Sequence, residues 1–166
     1  MVIANTWAWP VGDDFHFVAF SRLMGGLLGR FLITRRNLFV NRVMPVAVGD
    51  RRCLTAEVMD HYRHAQPSPE ARAASAALPG YIVGASDWLH TIWEERGKFA
   101  AKPALLLWGH RDIAFRKKEL DRWRAALHGY ELHEFPDRGH FLAEEATDGV
   151  AALLRQFLSG DAGSDA

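Results

Sequence analysis

Apolar positions along the chain fall into three regimes. Val2-Ile3-Ala4 is a short run ending at Asn5-Thr6, and Trp7-Ala8-Trp9-Pro10 follows, which predicts a strand leading into a loop. From Asp13 to about Ala101 the apolar residues recur at helical spacing. Breaks are predicted at Gly25, Gly26 and Gly29, at Pro45, at Gln66-Pro67-Ser68-Pro69 and at Leu78-Pro79-Gly80. Within that region Trp88, Leu89, Ile92 and Trp93 form one apolar helix face, with Asp87, Glu94 and Glu95 turned outward. The stretch from Phe15 to Thr34 is the most membrane-like. Arg22, Arg30 and the glycines interrupt it too often for an apolar span of about 20 residues, so it reads as buried helix in a soluble protein.

The pattern changes after Lys102-Pro103. Ala104-Leu105-Leu106-Leu107-Trp108 is continuously apolar and closed by Gly109, as expected of a strand buried on both faces. Arg116 to His128 carries Leu120, Trp123 and Leu127 on one face, with Gly129 at the position of a helix-terminating glycine. Tyr130 to Phe135 is a second strand of this part, and Pro136 to His140 is a loop. Glu144 to Leu158 is a closing helix with Val150, Leu153, Leu154 and Phe157 inward. The division expected is 1–12 strand and entry loop, 13–101 helical region, 102–160 α/β part and 161–166 disordered tail. Strand and helix alternating at this spacing imply parallel pairing with right-handed crossovers. An α/β layer interrupted by so long a helical insertion is the plan of an α/β-hydrolase with a cap.

Composition narrows the partners. Of 166 residues 49% are hydrophobic, and 20 Lys+Arg balance 20 Asp+Glu, so the chain holds a core and carries no cationic stripe for nucleic acid or an anionic membrane. A small-molecule ligand is expected instead. The one cysteine, Cys53, excludes a disulfide framework and a Cys-rich metal site, and fits a reducing cytoplasm. No basic n-region precedes an apolar core at the N-terminus, so no signal peptide is expected.

In open parallel sheets the reactive groups lie just past the carboxyl ends of the strands. Asp112, in Gly109-His110-Arg111-Asp112, follows one strand, and His140, in Asp137-Arg138-Gly139-His140-Phe141, follows the next. An aspartate there accepts the imidazole Nδ1 proton and leaves Nε2 free as general base. Either residue alone would read as a turn former or a solvated loop residue. His110, Arg111, Asp137 and Arg138 read as loop residues, with an Arg beside the acid available for a structural ion pair. No nucleophile elbow precedes the pair: Gly84-Ala85-Ser86-Asp87-Trp88 lacks the closing glycine and falls in the helical region. His61 and His64 lack the further ligand a metal site needs, and Gly25-Gly26-Leu27-Leu28-Gly29 lacks the lysine of a phosphate loop.

Asn5-Thr6-Trp7-Ala8-Trp9-Pro10, Arg36-Asn37-Leu38-Phe39-Val40, His61-Tyr62-Arg63 with Gln66-Pro67-Ser68-Pro69-Glu70-Ala71-Arg72, Trp108-Gly109-His110-Arg111-Asp112-Ile113-Ala114-Phe115 and Gly139-His140-Phe141 together resemble haloalkane dehalogenases. The resemblance covers nearly the whole chain. It implies a partial α/β-hydrolase fold: a helical cap plus the last three parallel strands and the final helix, without the first five strands.

It further implies that an aspartate from the missing part displaces halide to form an alkyl-enzyme ester. His140 would activate water to hydrolyse that ester, and Asp112 would serve as the acid because Asn5-Thr6 offers no carboxylate at the alternative position. Leu78 and Pro79 match a family Phe-Pro over the pocket, with Leu78 in place of the commoner Phe, and Ala114, Phe141 and Trp7 are further candidate pocket residues. The substrate implied is a small apolar halogenated molecule, with water and halide and with neither cofactor nor metal. As it stands, such a chain would be inactive. Epoxide hydrolases are the neighbouring reading, with Tyr62 and Tyr81 as candidate acids. A non-catalytic interaction module is the reading from another class: Val2-Ile3-Ala4 would be an exposed edge inviting self-association, and Leu105, Leu106 and Leu107 would lose the layer covering one face.

Overall fold

The computed structural model describes residues 1–160; the predicted tail, 161–166, lies outside the described residues. The strands are β1 (Val2–Ala4), β2 (Ala104–Gly109) and β3 (Tyr130–Phe135). The helices in chain order are α1 (Phe15–Gly25), α2 (Leu27–Arg36), α3 (Met44–Ala47), α4 (Ala56–Ala65), α5 (Ala73–Gly84), α6 (Ser86–Glu94), α7 (Gly97–Ala100), α8 (Lys117–Ala126), α9 (Leu142–Glu145) and α10 (Thr147–Ser159). Two compact units result: Met1–Thr6, Ala47–Cys53 and the described residues from Phe99 onward form one, and Trp7–Val46 with Leu54–Lys98 the other. Residues 47–53, inside the region read as helical insertion, thus pack with the α/β part.

The α/β unit is a parallel sheet in the order β1-β2-β3, with Ile3 opposite Leu106 and Leu106 opposite Leu132. Every residue of β2 is buried, as its unbroken apolar run requires of a central parallel strand. Leu105 and Leu107 pack with Leu142 against Phe135, Val150, Leu153, Leu154 and Phe157. The expectation that Leu105, Leu106 and Leu107 would lie uncovered is therefore wrong: all three are buried, and the apolar face of α10 covers the side carrying Leu105 and Leu107. On α8, Leu120 and Trp123 are buried and the Trp123 Nε1–H donates to the Thr6 carbonyl at 2.9 Å, tying the helix to the end of β1.

Two predicted helix ends move in this unit. α8 closes on Leu127, whose backbone is extended and whose N–H donates to the Trp123 carbonyl, and Gly129 lies outside the left-handed region, so it is not a helix-terminating glycine. The closing helix is two helices, because Ala146 leaves helical geometry between α9 and α10.

The second unit is built on α1, α2 and α5. Met24, Ile33 and Ala76 are buried there, with Phe20, Leu38, Phe39 and Val43 packed around them. Asp14 caps α1 by accepting the His16 N–H at 3.1 Å, and Thr55 caps α4 by accepting that of Val58 at 3.2 Å. The predicted break at Leu78-Pro79-Gly80 does not occur. α5 runs through Pro79, although an interior proline costs an isolated helix about 3 kcal/mol. Packing outweighs that penalty: Gly25 and Gly80 bring the α1 and α5 backbones so close that a Cβ on Gly25 would collide with Gly80.

The stretch from Phe15 to Thr34 is not the buried helix expected. It is α1 and most of α2, bent by 62° at Gly26, and only one side is buried: Phe15, Leu23, Leu27, Leu28 and Phe31 are exposed. No single described helix is long and apolar enough to cross a membrane.

Candidate active site

Asn5 follows β1, Asp112 follows β2 and His140 follows β3, so parallel pairing sets the three connecting loops side by side at one end of the sheet. Backbone hydrogen bonds lock two of these loops together: the His110 N–H donates to the Phe135 carbonyl and the Arg111 N–H to that of Arg138. Gly109 and Gly139 make the approach possible. A side chain on Gly109 would strike the Arg138 and Gly139 carbonyls, and one on Gly139 would strike the backbone of Ala47 to Gly49. Only glycine fits at either place.

His140 Nδ1 donates to Asp112 Oδ2 at 2.9 Å, within the reach expected of a base and its orienting acid. The Asp112 side chain is fully buried, whereas the imidazole is about a third exposed. Asp112 Oδ1 accepts the N–H groups of Ala114 (2.6 Å) and Phe115 (3.1 Å), and Oδ2 accepts a second hydrogen bond from Asn5 Nδ2 at 2.7 Å. A carboxylate stabilised by four donors serves as a fixed acceptor, and the Nδ1 contact selects the tautomer that leaves Nε2 as a lone-pair base. The rings of Phe115 and Phe141 lie 5.4 and 5.2 Å from that of His140 and give the imidazole an apolar collar.

The backbone under His140 is fixed from the other side. Its N–H donates to the Ala47 carbonyl at 2.8 Å, and Glu145 accepts the N–H groups of Gly139 (2.8 Å), Gly49 (2.7 Å) and Asp50 (2.9 Å). Asp50 also meets Arg52 and Arg138, and these partners, Arg52 foremost, hold its carboxyl well below the usual carboxylate range. Arg111 pairs with Asp137 at 2.9 Å, the structural ion pair expected beside the acid, and His110 with Glu134 at 2.6 Å.

Of the sequence-derived pocket residues, the structure gathers Ala114 and Phe141 about Asp112 and His140. Leu78, Pro79 and Trp7 belong to the helical unit: Leu78 is exposed, Pro79 is buried within α5, and Trp7 stacks on Phe17 at 5.8 Å. Tyr81 is exposed on α5. Among the described residues no group of His, Cys, Asp and Glu is arranged to hold a metal ion. Sequence reasoning missed Asn5 and Glu145. Asn5 lacks a carboxylate and so does not stand out as an acid, although a polar residue directly after a buried strand is itself a signal. Glu145 stands in an acidic doublet that reads as solvated helix surface.

No family model matches the chain. Among curated proteins it is 38% identical over 156 residues to haloalkane dehalogenase 2 of Mycobacterium tuberculosis (strain ATCC 25618 / H37Rv), an alignment covering 93% of this chain and 54% of that protein. A cis-3-alkyl-4-alkyloxetan-2-one decarboxylase of Xanthomonas campestris pv. campestris is 38% identical over 173 residues, covering 95% of this chain and 54% of that one. The chain thus spans about half the length of the curated relatives it matches. A loop variant of the haloalkane dehalogenase DbeA from Bradyrhizobium elkanii superposes with a TM-score of 0.73 at 18% identity, over 98% of this chain and 60% of that one. The Cif epoxide hydrolase from Acinetobacter nosocomialis does so with a TM-score of 0.72 at 21% identity, over 95% and 52%. These likenesses establish a partial α/β-hydrolase fold.

Proposed function

We propose that this chain, a homologue of haloalkane dehalogenases over most of its length, carries the hydrolytic base and its acid for carbon–halogen bond cleavage through an alkyl-enzyme ester. The single observation supporting this reading is the 2.9 Å contact between His140 Nδ1 and the buried Asp112 at the ends of adjacent parallel strands. The chain corresponds to the C-terminal portion of such an enzyme, and the displacing carboxylate comes from outside its 166 residues.

That carboxylate attacks the substrate carbon as the carbon–halogen bond breaks, and halide leaves with the bonding pair. His140 Nε2 then takes a proton from water as the water oxygen adds to the ester carbonyl carbon. The adduct collapses, the departing alkoxide takes that proton back from His140 and leaves as alcohol, and the regenerated carboxylate releases the remaining water proton to solvent. Asp112 stabilises the imidazolium that forms in between. The substrate class is a small apolar haloalkane, consistent with the collar of Phe115 and Phe141.

The test is halide release from bromo- and chloroalkanes. The chain alone should give none above buffer. Mixed with the unmatched half of the mycobacterial relative, it should release halide only while His140 is present. Release from the lone chain, or His140-independent release from the mixture, would refute the assignment. The identity to an oxetan-2-one decarboxylase over 95% of the chain favours a second reading, in which the same pair serves the loss of carbon dioxide from a four-membered lactone. Carbon dioxide and alkene from such a lactone, without halide release from haloalkanes, would select it.

A further inference from the structure

Asn5 makes an unusual set of contacts for a residue at the end of a three-residue strand. It is buried, and its φ of 35° lies in the left-handed region, where a short amide side chain is tolerated and most others are strained. Its backbone N–H donates to the Leu107 carbonyl at 3.3 Å and so extends the pairing of β1 with β2. Beyond that point the side chain takes over the ladder: Oδ1 accepts the Gly109 N–H at 2.8 Å and Nδ2 donates to the Gly109 carbonyl at 3.1 Å. The second Nδ2 hydrogen goes to Asp112 Oδ2 at 2.7 Å, so both amide hydrogens and the amide oxygen are engaged.

The consequence falls on Asp112. A carboxylate offers about four acceptor sites. Here two are taken by the Ala114 and Phe115 N–H groups on Oδ1, one by Asn5 on Oδ2 and one by His140 on Oδ2. Without the Asn5 donor, Oδ2 would have a free lone pair and no partner on the β1 side. The χ2 torsion, intrinsically broad and soft, would then be held on the protein side by the Oδ1 contacts alone, and Oδ2 would be less tightly aimed at His140.

Resting on the dehalogenase-type reading of the pair, we infer that Asn5 is a positioning residue: it acts through Asp112 to hold Oδ2 on the Nδ1 hydrogen of His140, and thereby fixes the imidazole tautomer. It does not touch the reacting atoms. Its role differs from plain strand cohesion, which the bonds to Gly109 already supply, because the contact to Asp112 adds nothing to the ladder. Asparagine suits the position as few residues do. It tolerates the left-handed backbone, matches the Gly109 peptide with one donor and one acceptor, and keeps a second donor for the acid. Aspartate would keep the acceptor and lose both donors.

The test uses the intact chain, labelled with nitrogen-15 at histidine, and observes the His140 ring nitrogens and the Nδ1–H proton at neutral to mildly alkaline pH. The parent chain should show a single Nδ1–H tautomer with a protected, downfield proton resonance. Asn5→Gly keeps the backbone conformation while deleting the amide. It should give a mixture of tautomers and speed exchange of that proton with water at least tenfold, while the amide spectrum stays dispersed. Asn5→Asp, which preserves the acceptor for Gly109 and the left-handed turn, should produce the same loss, and it decides the matter should the glycine variant fail to fold.

A folded variant of either kind with the parent's tautomer and proton signal intact would overturn the role of Asn5 and leave the base assignment standing. A parent chain without the Nδ1–H tautomer would overturn the acid–base reading itself. The two failures are therefore distinguishable.

Discussion

Glu145 accepts the Gly139 N–H at 2.8 Å, one residue before His140, while its other oxygen holds the amides of Gly49 and Asp50. One buried carboxylate thereby sets the path of the loop that carries His140. Glu145→Gln replaces one acceptor oxygen by an NH2 group facing peptide donors. The expected outcome is a loss of about 1–3 kcal/mol from leaving buried donors unmatched, read as a lower urea midpoint at an unchanged slope. An unaltered midpoint would mean that the backbone of the loop holds itself.

The roles proposed for His140 and Asp112 should separate in a reconstituted enzyme. His140→Ala should permit alkylation and block hydrolysis, so that about one halide is released per enzyme and the ester accumulates, visible as a mass increase of the half that carries the nucleophile. Asp112→Asn should slow ester hydrolysis by about 10²–10⁴-fold, the range for a mispositioned general base, while leaving the halide burst in place. Steady turnover by the His140 variant would remove the base assignment.

Cys53 offers a test of the environment around the 47–53 segment. Burial pushes its thiol up, and the carboxylates of Glu145, Asp50 and Glu144 add to the shift, so the thiolate is scarce at neutral pH. Alkylation by iodoacetamide at pH 7 should be slower than for a free cysteine, and should accelerate only in the alkaline range. Fast modification at pH 7 would show that the segment opens.

Asp50 gives a pH dependence with a definite sign. Its folded-state carboxyl is lowered by Arg52 and, further down the order, Arg138, so the stabilisation is present above the ordinary carboxylate value near pH 4 and is lost as pH falls through the folded value. Asp50→Asn should flatten the acid limb of the stability curve, measured by thermal melts between pH 6 and 2. An identical acid limb in the variant would assign it to other carboxylates.

The free side of β1 bears on association. Among the described residues β1 pairs only with β2, and Val2 on it is 39% exposed, a short edge without a protecting charge. Sedimentation velocity at rising concentration should reveal species heavier than the monomer, and Val2→Lys should reduce them. A monomer at all concentrations would show that three short strands with their helices suffice.

The parallel sheet and the Asp112–His140 contact were legible in the sequence because they rest on local signals: an unbroken apolar run, an amphipathic crossover, and chemistry-bearing residues directly after strand ends. The errors arise where packing between segments, or a local backbone bond, overrides what the neighbouring residues suggest. Nothing near Pro79 announces that Gly80 will lie against Gly25 and carry the helix through. Nothing near Gly129 says that α8 ends before it. The apolar count in α1 and α2 suggested burial all round, whereas Phe15, Leu27 and Leu28 face outward, since apolar composition alone does not specify which residues are covered. Asn5 and Glu145 were missed because their partners lie on other segments, the acid 107 positions from Asn5.

That separation has a kinetic meaning. Between β1 and β2 the chain runs through the helices α1 to α7, each held by its own i to i+4 hydrogen bonds and able to form without the sheet. Joining Asn5 to Gly109 and Asp112 closes a loop of about a hundred residues, and such closures are slow, because the chain gives up its freedom before the contact rewards it. The Asn5 contact to Asp112, inferred above to fix the His140 tautomer, should therefore be among the last features to appear during refolding. The His140 Nδ1–H signal then becomes a clock for completion of the sheet, rising after helical circular dichroism has already reached its native value.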